Sequence, residues 1–119
     1  MKLRIRGNSI RFRLTQSEVQ TFAGEGVIQE VIHFSHQNFL YALEKRSTQQ
    51  LTASFENGKI TVFVPIEMAN QWADSEQISL EGNDGELRFL IEKDFVCLSP
   101  REDEDEKDNF LHPNQNQSC

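Results

Sequence analysis

The sequence predicts an α+β fold: a bent antiparallel sheet or small β-barrel of about seven to nine short strands, with two short helices packed on it. Three features predict this class. Short runs of alternating apolar and polar residues recur along the chain, turn residues such as Gly and Asn separate them, and two segments show the apolar spacing of a helix. At 119 residues the chain can form one domain whose core needs neither disulfides nor a metal.

The first hairpin is predicted over residues 2–14, with Gly7-Asn8 as a two-residue turn. Glycine at the first turn position suits type II′ geometry. This register collects the apolar residues on one face and sets Arg4 opposite Arg11 on the other. Because directly opposed like charges destabilise a strand pair, we expect an anionic group to lie over that second face.

Two short helices are predicted, one after the first hairpin and one in the second half of the chain. Thr15 and Glu18 have the spacing of a capping box, and Gly24 or Gly26 is expected to end the first helix. Pro65 is expected to be the first residue of the second helix, because its missing N–H group has no partner at that position anyway.

The strongest local signal is a hairpin over residues 51–64. Asn57-Gly58 is a preferred pair for a type I′ turn, and it joins two alternating runs. A two-residue turn at this position pairs Phe55 with Ile60 on the apolar face. We therefore expect this hairpin to be the centre of the fold.

Two further hairpins complete the predicted strands. Residues 27–34 and 39–43 alternate in hydrophobicity, and the polar residues 44–50 are expected to form a loop after them. The last hairpin is predicted over residues 78–91, with its turn at residues 84–85. The predicted core consists of Leu3, Ile5, Ile10, Phe12, Val19, Phe22, Phe55, Ile60, Val62, Val64, Trp72, Leu80, Phe89 and Ile91.

The composition changes near the C-terminus. Residues 101–119 carry six acidic and two basic side chains and few apolar ones, a composition that does not form a core by itself. We therefore predict one globular domain over residues 1–99 and a flexible acidic tail over residues 100–119.

Charge and hydropathy narrow the class of protein. A net charge of −7 argues against a protein dedicated as a whole to nucleic acids or anionic membranes. No apolar run approaches the roughly 20 residues that span a bilayer, and the N-terminal residues lack the apolar stretch of a signal peptide. We expect a cytoplasmic protein in which Cys97 and Cys119 are reduced thiols.

The sequence contains no motif of a common enzyme class. Phosphate-binding loops, dinucleotide fingerprints, nucleophile elbows and zinc-protease motifs do not occur. His33 and His36 are close in sequence, but a metal site needs three or four converging ligands, so we interpret them as surface histidines. Cys97 lies among apolar residues, where a thiol is usually packed and inert. We predict no cofactor and no metal, and keep a metal- or thiol-dependent activity near Cys97 as an alternative.

The most informative feature is the segregation of charge. Residues 1–14 carry five basic and no acidic side chains, and the candidate anion-binding face consists of Arg4, Arg6, Arg11 and Arg13. The simplest interpretation is a solvated strand face. A second is that acidic groups cover the arginines, either Glu30 and Glu92 from neighbouring strands or the tail. The acidic candidates in the tail are Glu102, Asp103, Glu104, Asp105 and Glu106. A third is that the face binds a nucleic-acid backbone and the tail competes for it, although aromatic residues for base stacking are not interleaved with the arginines.

An internal repeat and two resemblances to known proteins add to these predictions. Strand–helix–strand order occurs twice, in residues 10–34 and 60–82, as in small closed or nearly closed barrels. Residues 60–92, about a third of the chain, resemble the strand–Pro–helix–strand–strand unit of AbrB-type swapped-hairpin regulators, although the acidic balance departs from those DNA-binding proteins. The opening KLRIRGNSIRFRLTQSEV, with EKDFVCL and the acidic tail, resembles a family of short uncharacterised bacterial proteins over most of the chain. That resemblance implies a small bacterial cytosolic domain, and it supplies no catalytic residues to carry over to this chain.

The sequence therefore favours a non-enzymatic binding or interaction module with an unknown protein partner. Nucleic-acid or polyanion binding through the N-terminal arginines, modulated by the acidic tail, is the alternative. No membrane association is expected.

Overall fold

A computed structural model describes residues 1–95 as two four-stranded β-sheets and two helices around one apolar core. The elements in chain order are β1 (Lys2–Arg6), β2 (Ser9–Leu14), α1 (Gln16–Glu25), β3 (Val27–His33), β4 (Asn38–Arg46), β5 (Thr52–Glu56), β6 (Lys59–Pro65), α2 (Ile66–Asp74), β7 (Ser79–Asp84) and β8 (Leu87–Lys93). The predicted domain boundary after residue 99, the two cysteines and the acidic tail lie outside the described residues.

Each sheet combines one hairpin from each half of the chain. The strand orders are β1-β2-β8-β7 and β3-β4-β6-β5. The central pairs, β2 with β8 and β4 with β6, are parallel, and the other pairs are antiparallel. The prediction of one bent antiparallel sheet or a small barrel is therefore wrong: the described strands form two separate mixed sheets. Turn residues signal the antiparallel hairpins locally, whereas the parallel pairs join strands that are distant in sequence.

An approximate twofold symmetry relates the two halves. The order β1-β2-α1-β3-β4 repeats as β5-β6-α2-β7-β8, and exchanging the halves turns one sheet order into the other. The register repeats as well, since Phe12 pairs with Ile91 in one sheet and Val62 pairs with Leu43 in the other. The predicted strand–helix–strand repeat is thus present, and it extends to both whole halves.

The symmetry also governs how the helices end. Neither helix has a basic residue in its last turn. The last strand of each half supplies a lysine instead: Lys45 Nζ donates to the Ala23 carbonyl at 2.7 Å, and Lys93 Nζ donates to the Ser75 carbonyl at 2.8 Å. A cation at this end of a helix offsets the negative end of its dipole, so each half stabilises its own helix in the same way.

The core lies between the inner faces of the sheets and the helices. Phe22 and Trp72, at equivalent positions of the two helices, are fully buried and meet edge to face with ring centroids 6.4 Å apart. Most of the predicted core is confirmed, but Ile5 and Phe55 are 56% and 69% exposed. These two equivalent residues lie beside the hairpin turns, at the ends of the sheets, where no described element covers them. The buried apolar residues that the sequence did not identify are Met1, Leu14, Leu43, Leu51 and Ala69 in the core, and Ala42 on the opposite face of β4.

Caps and turns follow the local sequence closely at the start of each half. The Thr15–Glu18 capping box is present, and Gly26 ends α1 with φ 85°. Asn57 and Gly58 both have positive φ, 52° and 74°, as a type I′ turn requires. The predicted pairs of both hairpins, including Arg4 with Arg11, are confirmed.

Three local predictions need correction. Residues 44–46 continue β4 rather than starting a loop, and Pro65 ends β6 rather than starting α2. The last turn is at Gly85-Glu86, because Asp84 pairs with Leu87. Gly85 takes the first turn position with φ 63°. The register of β7 against β8 therefore differs from the predicted register by two residues, which keeps the same side chains on the inner face.

Gly82 occupies a position where a side chain does not fit. A Cβ atom at Gly82 would lie 2.8 Å from Leu51 Cδ1 and 3.1 Å from Leu51 Cβ, and Leu51 is only 2% exposed. We expect Gly82→Ala to lower the free energy of unfolding by about 1–3 kcal/mol through overpacking. Chemical denaturation measures the loss. Gly24→Ala is the control, because open space surrounds Gly24 in α1 and this change should stabilise by about 0.5–1 kcal/mol. An equal response of both variants would contradict the packing argument.

Candidate anion-binding face

The outer face of the sheet β1-β2-β8-β7 is the candidate site. Residues paired across a ladder point to the same side of a sheet, so the register defines three rows of side chains. The rows are Lys2, Arg13, Glu92 and Ser79; Arg4, Arg11, Leu90 and Glu81; and Arg6, Ser9, Arg88 and Asn83. This surface, the basic face, carries six cations and two carboxylates although the chain has a net charge of −7.

The structure brings the four predicted arginines together with Lys2, which the predicted register had also placed on this face, and adds one further cation. Arg4, Arg6, Arg11 and Arg13 all lie on the basic face, as the hairpin register predicted. Sequence reasoning missed Arg88, which reaches the face because β8 pairs in parallel with β2. No local signal in β8 identifies Arg88, since its place depends on a long-range strand pair.

The Glu92 carboxylate lies beside two arginines of the basic face. Arg13 donates to Glu92 Oε1 through Nε at 3.0 Å and through Nη2 at 2.8 Å. Arg11 Nε lies 3.8 Å from the same oxygen. The side chains of Arg13 and Glu92 are only 17% and 13% exposed. Glu92 therefore lies beside the arginines as expected, and it holds Arg13 in a fixed orientation.

Four of the six cations of the basic face are exposed: Lys2, Arg4, Arg6 and Arg88. A pocket of about 400 Å³ lies among Lys2, Leu3, Arg4, Arg11 and Arg13. A second pocket, of about 560 Å³, lies at the other end of the same face, and its lining includes Ser9, Glu81, Asn83, Arg88 and Leu90. The first pocket is lined by cations and one leucine, so it suits an anionic group.

The second sheet provides an internal comparison. The equivalent rows on its outer face are Thr52, Phe63, Glu44 and Val27; Ser54, Thr61, Ala42 and Gln29; and Glu56, Lys59, Leu40 and Val31. These rows contain a single cation, Lys59. Ser54 stands where the basic face has Arg4, and Thr61 stands where it has Arg11. The sheet architecture therefore forms without arginines at these positions, and their presence on the basic face calls for another reason than folding.

Glu30, expected over the arginines, lies elsewhere. It pairs with the buried amino group of Met1 at 3.0 Å, and Glu18 contacts the same amino group. Tyr41 donates its hydroxyl hydrogen to the Met1 carbonyl at 2.8 Å. The expectation for Glu30 is wrong because the register places it opposite Tyr41, on the inner face of the other sheet.

The Met1 amino group and Glu18 make stability depend on pH. Burial acts to lower the pKa of the amino group, but the hydrogen bonds that it donates to Glu18 and Glu30 outweigh this effect, and the pKa is raised. Burial acts to raise the pKa of Glu18, but the Met1 ammonium and the Thr15 N–H outweigh it and the pKa is lowered. The stabilisation is lost as pH rises through the raised amine pKa, and again as pH falls through the lowered Glu18 pKa.

Glu18→Gln tests this pH dependence. We expect the variant to be less stable than the wild type, with the largest difference in the free energy of unfolding between about pH 5 and pH 8. Thermal melts across the pH range give the difference. Glu25→Gln, an exposed change on the same helix, is the control and should track the wild type. A Glu18→Gln difference that stays constant from pH 3 to pH 10 would rule out the ion pair as its source.

The histidines occupy a different region. His33 Nδ1 lies 3.0 Å from Asn38 Oδ1. His36 lines an apolar pocket of about 500 Å³ with Phe34, Phe39 and Phe55. Among residues 1–95, no group of three or more His, Cys, Asp or Glu side chains is placed to hold a metal ion. The arrangement with Cys97 lies outside the described residues, so the thiol alternative stays a prediction.

Comparisons with known proteins place the chain in one family. Residues 1–114 match a family of unknown function, DUF7009, and the chain belongs to this family. No curated protein matches the chain, and no solved structure does. The likeness to AbrB-type units therefore stays a prediction. Neither helix in the described part of the chain is long and apolar enough to cross a membrane.

Proposed function

We propose that this protein is a non-enzymatic interaction module whose basic face binds an acidic segment of a partner protein. The observation that carries the proposal is the comparison of the two sheets: six cations stand on the basic face, and the equivalent positions of the other sheet hold one. Because the other sheet forms the same architecture with a single cation, a ligand accounts best for the excess of cations on the basic face.

The spacing of the cations fits an extended acidic segment. Neighbouring strands are about 4.8 Å apart, and alternate residues of one strand are about 6.6–6.8 Å apart. Lys2, Arg4 and Arg6 follow one another at this second spacing along β1. Alternate carboxylates of an extended peptide have the same spacing, and guanidinium groups bind carboxylates through two parallel hydrogen bonds.

A nucleic-acid backbone is the second candidate, because phosphates suit the same guanidinium groups. One observation favours the peptide. No aromatic side chain stands among the three rows of the basic face, so unpaired bases find no stacking partner there.

The test is a titration of a fluorescent deca-glutamate peptide and of a mixed-sequence single-stranded DNA against the full chain. Arg4→Ser/Arg11→Thr, which installs the residues of the other sheet, should weaken peptide binding by about 10- to 100-fold. The matched control, Arg46→Ser/Lys59→Ser, removes two cations from the other sheet and should leave binding within about twofold. Binding of DNA alone, with log affinity falling linearly with log salt, would favour the second candidate. A full chain that binds neither probe, with its tail carboxylates intact or neutralised, would contradict both.

We expect Glu92→Gln to lower the stability of the protein and to raise its affinity for the peptide. The change removes the charged partner of Arg13, so we expect the free energy of unfolding to fall by about 1–2 kcal/mol. The same change removes a negative charge from the basic face and so makes its net charge more positive. Peptide affinity should therefore rise by about two- to fivefold at low salt. Denaturant unfolding and the peptide titration measure the two effects. If both stability and affinity fall, Glu92 positions the arginines for binding, and the electrostatic expectation is wrong.

A further inference from the structure

We infer that the acidic segment 102–106 of this same chain occupies the basic face in the free protein and competes there with the partner. This inference rests on the proposed function, since it assigns the same site an internal ligand. Three observations carry it: where the described chain ends, how far the following residues reach, and which charges meet.

The described chain ends at one corner of the basic face. The Asp94 N–H group donates to the Leu14 carbonyl at 2.8 Å, which fixes the end of β8 beside β2. The Asp94 carboxylate lies 3.0 Å from Lys2 Nζ. Lys2 belongs to the first row of the basic face and lines its smaller pocket. The segment after Phe95 therefore starts within one side chain of the cations.

The reach of the next residues is sufficient. Six residues, 96–101, separate Phe95 from the acidic segment. An extended chain spans about 3.3–3.6 Å per residue, so these six span at most about 20 Å. The five residues of β1 extend about 13 Å from Lys2 to Arg6. The acidic segment can therefore meet any cation on β1 and β2 without moving a described element.

The charges complement one another. Residues 102–106 are five consecutive carboxylates. In an extended conformation, Glu102, Glu104 and Glu106 point to one side at the spacing that separates alternate residues of β1. Each exposed ion pair is weak, but the tether keeps the segment at a local concentration in the millimolar range. A partner must therefore displace an acidic segment that is always close by.

The test keeps the full chain and removes only the five charges. The neutral-tail variant carries Glu102→Gln, Asp103→Asn, Glu104→Gln, Asp105→Asn and Glu106→Gln. Its matched control removes five carboxylates outside the basic face: Glu25→Gln, Glu67→Gln, Asp74→Asn, Glu76→Gln and Glu86→Gln. Both variants change the net charge by the same amount, so their difference isolates the position of the charges.

We expect the neutral-tail variant to bind the deca-glutamate peptide at least tenfold more tightly than the wild type at low salt. The control variant should gain less than about threefold, because general repulsion is screened over about 10 Å at 0.1 M salt. Amide chemical shifts give a readout that needs no added ligand. Wild type and neutral-tail variant should differ in β1 and β2, and the differences should not depend on protein concentration.

Each result supports or overturns a separate claim. Equal peptide affinity of wild type and neutral-tail variant, together with unchanged shifts in β1 and β2, overturns the internal ligand and leaves the proposed function intact. Shift differences that grow with protein concentration assign the acidic segment to a second copy of the chain, which also overturns the intramolecular inference. If the chemical shifts of β1 and β2 differ but neither protein binds the peptide, the contact between the tail and the basic face is supported and the proposed function is wrong.

Discussion

In Trp72→Ala, we expect the free energy of unfolding to fall by about 3–5 kcal/mol. Trp72 is fully buried and packs edge to face on Phe22 between the two halves. Its Nε1–H group donates to the Ile78 carbonyl at 3.0 Å, and the Lys93 ammonium lies 5.7 Å from its ring centroid. Removing the indole therefore opens a cavity at the junction of the halves and removes one of the two donors to the Ile78 carbonyl, which keeps the Lys93 N–H group at 3.0 Å.

Denaturant unfolding followed by circular dichroism measures this loss. Trp72→Phe is the companion variant, which keeps an aromatic ring and loses the hydrogen bond, and we expect it to fold with a loss of about 1–3 kcal/mol. If Trp72→Ala loses less than about 1 kcal/mol, the junction of α1 and α2 does not contribute to stability in the way that its burial indicates.

In Arg4→Glu, we expect peptide affinity to fall by about 100-fold while the fold becomes slightly more stable. Arg4 stands directly opposite Arg11 on the basic face, so the change converts opposed like charges into an opposite pair, which stabilises a strand pair by about 0.2–1 kcal/mol. The same change removes a binding cation and places a carboxylate against the acidic ligand, where juxtaposed like charges cost several kcal/mol.

Lys59→Glu is the matched control because it makes the same charge change in the equivalent hairpin. Lys59 stands opposite Glu56, so the new residue opposes a like charge and should lower stability by about 0.2–1 kcal/mol. Peptide binding should stay within about twofold, since Lys59 lies on the other sheet. Thermal melts and peptide titrations test whether Arg4→Glu gains stability and loses affinity while Lys59→Glu loses stability and keeps its affinity. Equal losses of affinity in the two variants would show that net charge, rather than the basic face, governs binding.

The hairpins show how much of the structure local sequence predicts. Gly7-Asn8 and Asn57-Gly58 fix two-residue turns, and each turn fixes a register, so Arg4 was placed opposite Arg11 from the sequence alone. The last hairpin shows the limit. Asp84-Gly85 and Gly85-Glu86 are both acceptable turns, and packing around Gly82 and Leu51 accompanies the observed choice.

The exposed ends of the sheets show a second limit. Alternation correctly put Ile5 and Phe55 on the inner faces, but it does not say how far the helices and the opposite sheet extend over those faces. Leu43 and Leu51 were missed for the converse reason. Leu43 pairs with Val62 from the other half of the chain, and Leu51 lies against Gly82 of β7, and local periodicity describes neither contact.

The sequence by itself determined the hairpins, the helix caps, the position of four arginines on one strand face and the repeat of strand–helix–strand order, because each depends on interactions between near neighbours. Only the tertiary structure decided that hairpins from opposite halves share a sheet through parallel central strands. That pairing brings Arg88 and Glu92 beside the N-terminal arginines and provides the equivalent face for comparison. It depends on burying both helices and both inner faces in one core, and this requirement acts between segments that are distant in sequence.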